Sequence, residues 1–352
     1  MPSLVDTLSN APDLFPHGFD VRSDAVKFVR LDRADYARAS FLDERILSPG
    51  ILPVNVPWPQ TEAAIGAAGL TERCAYVFHI GHVGSTLMSR LLGAHPQVLA
   101  LREPLILRTF AQARAPAAGQ ASPWSNADFE ARLAGCLKLL SRTYHHNQIA
   151  IVKATSFVSE LAAELLARRS APKAVMMFVS PESYLATILG GPNSRREAKI
   201  LTPDRVKRLH RRLNRDVWNA ASLSEGEALA LGWACEMAAL TKAAQSAEGR
   251  VLAIDFDAFL TRPQPVLLAT LRHFDVAATP AEVNAILAGP DMHRYSKGPE
   301  HAYDTALRME VLDEARALHG SEICRGLAWL ERAAASHPAV SDAVAFAAGT
   351  AS

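Results

Sequence analysis

Short apolar runs that alternate with helical patterns dominate the chain from residue 74 onward. Four of them read as buried strands, CAYVFHI, IAIVKA, AVMMFVS and VLAIDF, and a shorter run, VLAL, follows the turn AHPQ. Near-continuous apolar runs of this kind are typical of parallel strands that helices cover on both faces. The pattern predicts an α/β fold with a doubly wound, mostly parallel sheet of P-loop type and helical insertions.

The ends of the chain differ from this middle part. Residues 1–70 mix alternating apolar patches with the proline-rich stretch SPGILPVNVPWPQ, whose prolines favour an extended connector over a helix. We expect an N-terminal extension at 1–70 that packs on the core, a main domain at 71–335 and a C-terminal tail at 336–352. A long helical segment is expected from about 200 to 245, and it either lines an acceptor pocket or contacts a second copy in a homodimer.

Composition narrows the classes of partner. Lys and Arg total 37 and Asp and Glu total 36, so the net charge is +1 and no general nucleic-acid coat is expected. No apolar run approaches the ~20 residues that cross a bilayer, and the N-terminus lacks a secretory pattern. The four cysteines lie far apart without a CxxC pair, which excludes a zinc ribbon. We therefore expect a cytoplasmic protein that binds neither nucleic acid nor membrane.

The most informative stretch is FHIGHVGSTLMSRLLGAHPQVLALREP, in which a strand leads through a glycine-containing loop into a helix. Backbone N–H groups and the helix N-terminus would make this loop an anion site, with Gly81 and Gly84 allowing positive φ. The lysine of the G-x-x-x-x-G-K-[ST] motif is missing, which disfavours a standard Mg-nucleotide hydrolase. The alternative is an ordinary strand–turn–helix junction capped by Ser85.

GHVGSTLMSRLLGAHPQVLALREP resembles the 5′-phosphosulfate loop of sulfotransferases, P-[RK]-S-G-T-T-L, and is most similar to tyrosylprotein sulfotransferases and their bacterial relatives. IVKAT, AVMMFVSPESYLAT and VLAIDFDAFLTRPQPVLLATLRHFDV resemble later blocks of the same family, in the same order. The resemblance covers roughly residues 74–280. It implies transfer of a sulfuryl group from 3′-phosphoadenosine 5′-phosphosulfate (PAPS) to a hydroxyl or amine acceptor, a small molecule or a peptide, by in-line displacement without a metal.

The same resemblance assigns roles to single residues. Glu103 would be the general base, and His82 and Lys153 would stabilise the leaving phosphate. Glu103 could instead be a surface acid paired with Arg102. The donor would be bound by the loop and by later residues that match the family's serine and its closing Lys/Arg-Gly loop: Gly81, His82, Val83, Gly84, Ser85, Thr86, Thr187 and Lys297.

Two positions depart from the family pattern. His82 stands where the family has Arg or Lys, and an imidazole with an ordinary pKa of ~6.5 is only partly charged at neutral pH. Val179 stands where the family has the arginine that binds the 3′-phosphate. Arg195 and Arg196 could compensate from a nearby loop, or they could form a solvated basic face.

Two other functions stay open at this stage. A kinase-like phosphotransferase with a degenerate P-loop would need a Mg-binding carboxylate, for which Asp255 is the one candidate. A non-catalytic nucleotide-binding or scaffold protein would explain the substitutions at His82 and Val179. We interpret KRLHRR as a solvated basic helix face, and the pair His145–His146 as surface residues because no third ligand lies at suitable spacing.

Overall fold

The computed structural model describes residues 3–114, 122–294 and 304–350. Within these ranges the strands are β1 Leu14–Asp20, β2 Ala25–Arg30, β3 Val54–Pro57, β4 Ala75–His79, β5 Val98–Arg102, β6 Ile149–Lys153, β7 Ala174–Phe178 and β8 Val251–Asp255. The helices are α1 Leu4–Asn10, α2 Arg33–Arg38, α3 Trp58–Ala67, α4 Ser85–Gly93, α5 Leu105–Arg114, α6 Asn126–Leu140, α7 Ala162–Leu166, α8 Pro181–Leu189, α9 Pro192–Leu213, α10 Glu225–Ser246, α11 Phe256–Thr261, α12 Pro263–His273, α13 Pro280–Leu287, α14 Thr305–Ser336 and α15 Pro338–Thr350.

The core of the molecule is a five-stranded parallel sheet with strand order β5-β6-β4-β7-β8. The chain enters at the central strand β4 and builds the sheet outward in both directions, which is the doubly wound arrangement. The predicted α/β fold class is confirmed, and VLAL also forms a strand. Strands β4, β5 and β7 are buried along their whole length, as their apolar sequences require.

Residues near the N-terminus form a second, antiparallel sheet in the order β1-β2-β3. This sheet packs on α5 and α6 through β1, and its core includes Phe15, Phe19 and Phe28. The expectation of a helix-free connector was wrong in part, because α3 begins within the proline-rich stretch at Trp58. Pro59 lies in the first turn of α3, where a missing N–H breaks no helical hydrogen bond.

The expected helical segment from about 200 to 245 is two helices, α9 and α10. Pro203 lies inside α9 without ending it. Helix α9 is C-capped by Asn214, which has a left-handed conformation (φ 49°). Ser224 and Glu227 then form a capping box at the start of α10. The two helices pack on each other.

The C-terminal residues are helical. Helix α15 occupies most of the expected tail and buries Val340, Ala343 and Ala347 against the core, where it contacts α10, α14 and β8. Among the described residues, no helix combines the length and apolar character that crossing a membrane requires.

Candidate active site

The loop that joins β4 to α4 has an unusual backbone. Gly81, His82 and Gly84 all have positive φ, at 88°, 56° and 63°. Gly84 is the N-cap of α4, and no side chain caps this helix. The alternative that Ser85 caps the helix is therefore wrong. In the described part of the chain, the amides of residues 83–87 donate to no other protein group, so five N–H groups at a helix N-terminus are available to a ligand.

Phe256 holds this loop from behind. A Cβ atom on Gly84 would lie 2.0 Å from Cε2 of Phe256, so only glycine fits there. The guanidinium of Arg308 lies 5.0 Å from the centroid of the same ring and forms an ion pair with Asp257 at 2.7 Å. The loop therefore rests on an aromatic ring that a buried arginine covers.

Lys153 joins the loop to the sheet. It is the last residue of β6 and is fully buried, and its Nζ donates to Oγ1 of Thr86 at 3.1 Å and to Oε1 of Glu103. Glu103 follows the last residue of β5, which is paired in register with Lys153. The amide of Glu103 donates to the Lys153 carbonyl at 2.7 Å, and its φ of 54° is left-handed. A non-glycine residue in this conformation is costly, and such residues cluster at functional sites.

Arg102 is not the partner of Glu103. Its side chain is buried and donates to backbone carbonyls of the N-terminal region, including those of Tyr36 and Ala39. Burial lowers the pKa of Arg102 to about 10. The interpretation of Glu103 as a surface acid paired with Arg102 was therefore wrong.

His79 is a site residue that the sequence did not reveal. It ends β4, is 6% exposed, and accepts a hydrogen bond at Nδ1 from the amide of Gly81 at 3.0 Å. Its Nε2 lies 4.0 Å from Oε1 of Glu103. The available signal was a polar residue at the carboxyl end of an otherwise apolar strand, where ligands bind in open α/β sheets.

The side chain of His82 lies next to α9. Its Nε2 is 3.7 Å from Oε2 of Glu197, which is a largely exposed residue. The imidazole of His82 is thus next to a carboxylate.

A cavity of about 1930 Å³ opens above this end of the sheet. It is lined by the described residues for which the sequence predicts donor binding or catalysis: Gly81, His82, Val83, Gly84, Ser85, Thr86, Glu103, Lys153 and Thr187. The hydroxyl of Thr187 donates to the Ser183 carbonyl at 2.7 Å, so its oxygen can still accept a hydrogen bond. Lys297 lies outside the described residues.

Val179 does not contribute to the cavity. It is fully buried, and its carbonyl accepts from Nε1 of Trp233 at 3.0 Å. Arg195 and Arg196 do not line the cavity either, and Arg195 forms a bidentate pair with Glu225 on α10. The N-terminal region, to which the sequence assigned no chemistry, does contribute, because Phe41 lines the cavity and its ring lies 5.4 Å from Nζ of Lys153.

The KRLHRR stretch was only partly interpreted correctly. Arg208 is buried rather than solvated and forms a bidentate pair with Glu236 at 2.8 and 2.9 Å, and Ser159 donates to the same carboxylate at 2.6 Å. Burial alone would raise the pKa of Glu236, but Arg208, together with Arg205, outweighs it and holds the pKa below its ordinary value. This buried network anchors α9 to α10.

The exposed side of α9 faces the cavity. Lys207 and Arg211 of α9 line it, as do Arg215 beyond the end of that helix and Arg108 of α5. In the ranges that the structure covers, these four side chains form no ion pair. Arginine and lysine side chains without local partners attract anionic groups into a cleft.

Metal-binding geometry is not found among the described residues, in which no group of three or more His, Cys, Asp or Glu side chains converges. Asp255, the candidate Mg-binding carboxylate, instead caps α11 by accepting from the amides of Asp257 at 2.8 Å and Ala258 at 3.2 Å. Burial raises its pKa. It does not line the cavity.

Comparison with known proteins gives structural neighbours only. No protein-family model matches the chain, and no curated protein matches it. The sulfotransferase domain from the curacin biosynthetic pathway is 14% identical, with a TM-score of 0.41, over 71% of this chain and 98% of that one. The sulfotransferase domain of the Synechococcus PCC 7002 olefin synthase is 12% identical (TM-score 0.40, 74% and 95% covered), and sulfotransferase STF9 from Mycobacterium avium is 13% identical (TM-score 0.39, 90% and 95%). At these identities and TM-scores we draw nothing about activity from them.

Proposed function

We propose that this protein is a PAPS-dependent sulfotransferase that transfers a sulfuryl group to a hydroxyl or amine acceptor. One observation carries the proposal. The backbone N–H groups at the α4 N-terminus, which donate to no other described protein group, and the Lys153–Glu103 pair line the same cavity. Anion binding and proton removal are the two tasks of sulfuryl transfer, and these groups suit them.

The donor would bind with its 5′-phosphosulfate against the loop. The amides of residues 83–87, the Thr86 hydroxyl and the Lys153 ammonium would surround its oxygens, and the α4 dipole would add positive potential. The 3′-phosphate would lie toward Thr187. Since Val179 is buried in the core, exposed cations of the cavity wall would have to supply the charge that the family takes from an arginine at that position.

Transfer would proceed by in-line displacement. The acceptor oxygen or nitrogen forms a bond to sulfur while the bond from sulfur to the 5′-phosphate oxygen breaks, and the acceptor proton passes to the carboxylate of Glu103. The leaving phosphate gains negative charge, which the loop amides, Lys153 and the protonated form of His82 would stabilise. Preorganised donors of this kind lower the barrier without any covalent intermediate.

The two alternatives find less support. A Mg-dependent phosphotransferase has no carboxylate at the position expected for it, since Asp255 is occupied as a helix cap outside the cavity. A non-catalytic binding protein fits the changes at His82 and Val179. It gives no reason for a carboxylate held at positive φ beside a buried lysine.

Calorimetric titration separates these functions. We expect adenosine 3′,5′-bisphosphate to bind without Mg²⁺ and with at least tenfold higher affinity than ATP-Mg. Tighter, Mg-dependent binding of ATP would favour the phosphotransferase, and binding of neither nucleotide would leave a scaffold. Arg195→Ala, which removes a surface arginine paired outside the cavity, is the matched control and should not change the bisphosphate affinity.

A further inference from the structure

We propose that His79 is a positioning residue that couples the donor loop to the base, by holding the loop with one ring nitrogen and Glu103 with the other. This inference rests on the proposed function for its consequences in catalysis. The placement of the His79 imidazole between the Gly81 amide and the Glu103 carboxylate does not depend on that function.

The first contact fixes the proton on the ring. A backbone amide can only donate, so Nδ1 of His79 must be the acceptor of the Gly81 N–H at 3.0 Å. The neutral imidazole then carries its proton on Nε2. The amide of Gly81 donates within the protein, whereas the amides of residues 83–87 donate to no other described protein group. The bond from Gly81 to His79 therefore fixes the turn, and the following amides can bind the ligand.

The second contact places that proton beside the base. Nε2 of His79 faces Oε1 of Glu103 at 4.0 Å, while Nζ of Lys153 contacts the same oxygen. A distance of 4.0 Å exceeds a hydrogen bond, and a movement of about 1 Å by the carboxylate would close it. Catalytic hydrogen bonds are often long in ligand-free proteins and shorten in the productive complex.

Donor binding gives this second contact its purpose. An anion at the loop competes with Glu103 for the ammonium of Lys153, because both would lie within reach of the same Nζ. As Lys153 turns toward the phosphate, Glu103 loses part of its counter-charge. The N–H of His79 then keeps the carboxylate oriented without neutralising it, so Glu103 can still accept a proton.

The rigidity of β4 makes His79 suitable for this task. His79 is paired in register with Met177 of β7, and its side chain is almost fully buried. A buried side chain on a central strand holds its neighbours with little freedom. The position of the loop and the orientation of the base are thus set by one rigid ring.

Two substitutions separate the two contacts. The amide oxygen of Asn lies where Nδ1 of His lies, and the amide nitrogen of Gln lies where Nε2 lies. His79→Asn should keep the affinity for adenosine 3′,5′-bisphosphate within about twofold of the wild type. It should lower the turnover rate about tenfold, measured as the release of bisphosphate from the sulfuryl donor with phenol as acceptor. His79→Gln should weaken bisphosphate binding about tenfold and lower that rate less than His79→Asn does. His146→Asn, at an exposed histidine, is the control.

Equal losses of affinity and rate in both variants would overturn the proposal, because a merely structural histidine would give that result. An activity-independent measurement accompanies them. Nitrogen-15 spectra of the wild-type protein should show His79 with the proton on Nε2, and Glu103→Gln should shift that resonance. A proton on Nδ1, or no response to Glu103→Gln, would overturn the coupling even where the protein binds bisphosphate. Failure of the wild-type protein to bind bisphosphate would instead contradict the proposed function and leave the spectroscopic result intact.

Discussion

Lys153 and Glu103 form an ion pair at the carboxyl ends of two neighbouring parallel strands, with the lysine fully buried and the carboxylate at the cavity surface. The same ammonium donates to Thr86, the second residue of α4. A buried lysine that is shared between a carboxylate and an anion-binding helix N-terminus responds to any anion that arrives there. The pair therefore connects donor binding to the state of the base.

Loss of Lys153 should destabilise the fold and weaken donor binding together. Lys153→Met leaves Glu103 without its counter-ion, and we expect the free energy of unfolding in urea to fall by about 3 kcal/mol. The double variant Lys153→Met/Glu103→Gln should recover about half of this loss, because neither charge remains. A double variant that is less stable than Lys153→Met would contradict the importance of the pair.

Neutralising Glu103 should separate binding from turnover. Glu103→Gln removes the base, so the rate of transfer should fall at least a hundredfold. It also removes the anion that competes for Lys153, so adenosine 3′,5′-bisphosphate should bind two- to fivefold more tightly by calorimetry. Glu248→Gln, at an exposed carboxyl, is the control for both measurements. Unchanged turnover in Glu103→Gln would remove Glu103 as the base.

A methyl group on Gly84 should disrupt the loop. Gly84→Ala forces Cβ to within 2.0 Å of Phe256 at φ 63°, whereas Gly249→Ala places it at φ 74° with nothing within 4 Å. We expect Gly249→Ala to cost about 1 kcal/mol of unfolding free energy and Gly84→Ala about 3 kcal/mol. Adding Phe256→Leu should relieve part of the cost of Gly84→Ala. An equal loss of unfolding free energy at the two glycines would show that the Phe256 ring moves aside at little energetic cost.

The buried Arg208–Glu236 pair should make stability depend on acidity. Because the pKa of Glu236 in the folded protein is below its ordinary value near 4.5, its stabilisation is complete above that value and is lost as the pH falls through the lower, folded-state pKa. Glu236→Gln should lose about 3 kcal/mol at pH 7, measured by urea unfolding, and the difference from the wild type should shrink below pH 4. If the difference in unfolding free energy between Glu236→Gln and the wild type did not depend on pH, the loss would come from packing rather than from the charge of Glu236.

The sequence predicted the parts of the site that local patterns determine. Apolar runs located the strands, whereas Glu103 and Lys153 were named through the resemblance to sulfotransferases. The structure places both at the carboxyl ends of two neighbouring strands. The glycines located the loop, where Gly81 and Gly84 have the positive φ that the sequence indicated.

Contacts between distant segments were beyond sequence reasoning. His79 appeared to be part of an apolar strand, because Glu103, which its ring approaches to 4.0 Å, follows a different strand. Arg208 appeared to be solvated, because its partner Glu236 is on another helix. Phe41 was given no role, because it approaches Lys153 from the N-terminal region. Each depends on tertiary packing rather than on periodicity.

Amide hydrogen exchange with and without adenosine 3′,5′-bisphosphate tests most directly whether the β4–α4 loop is the donor's anion site. We predict that bisphosphate slows exchange at the amides of residues 83–87 at least tenfold, while the Gly81 amide, already bonded to His79, changes little. Slowed exchange elsewhere with no change at residues 83–87 would contradict the assignment of this loop.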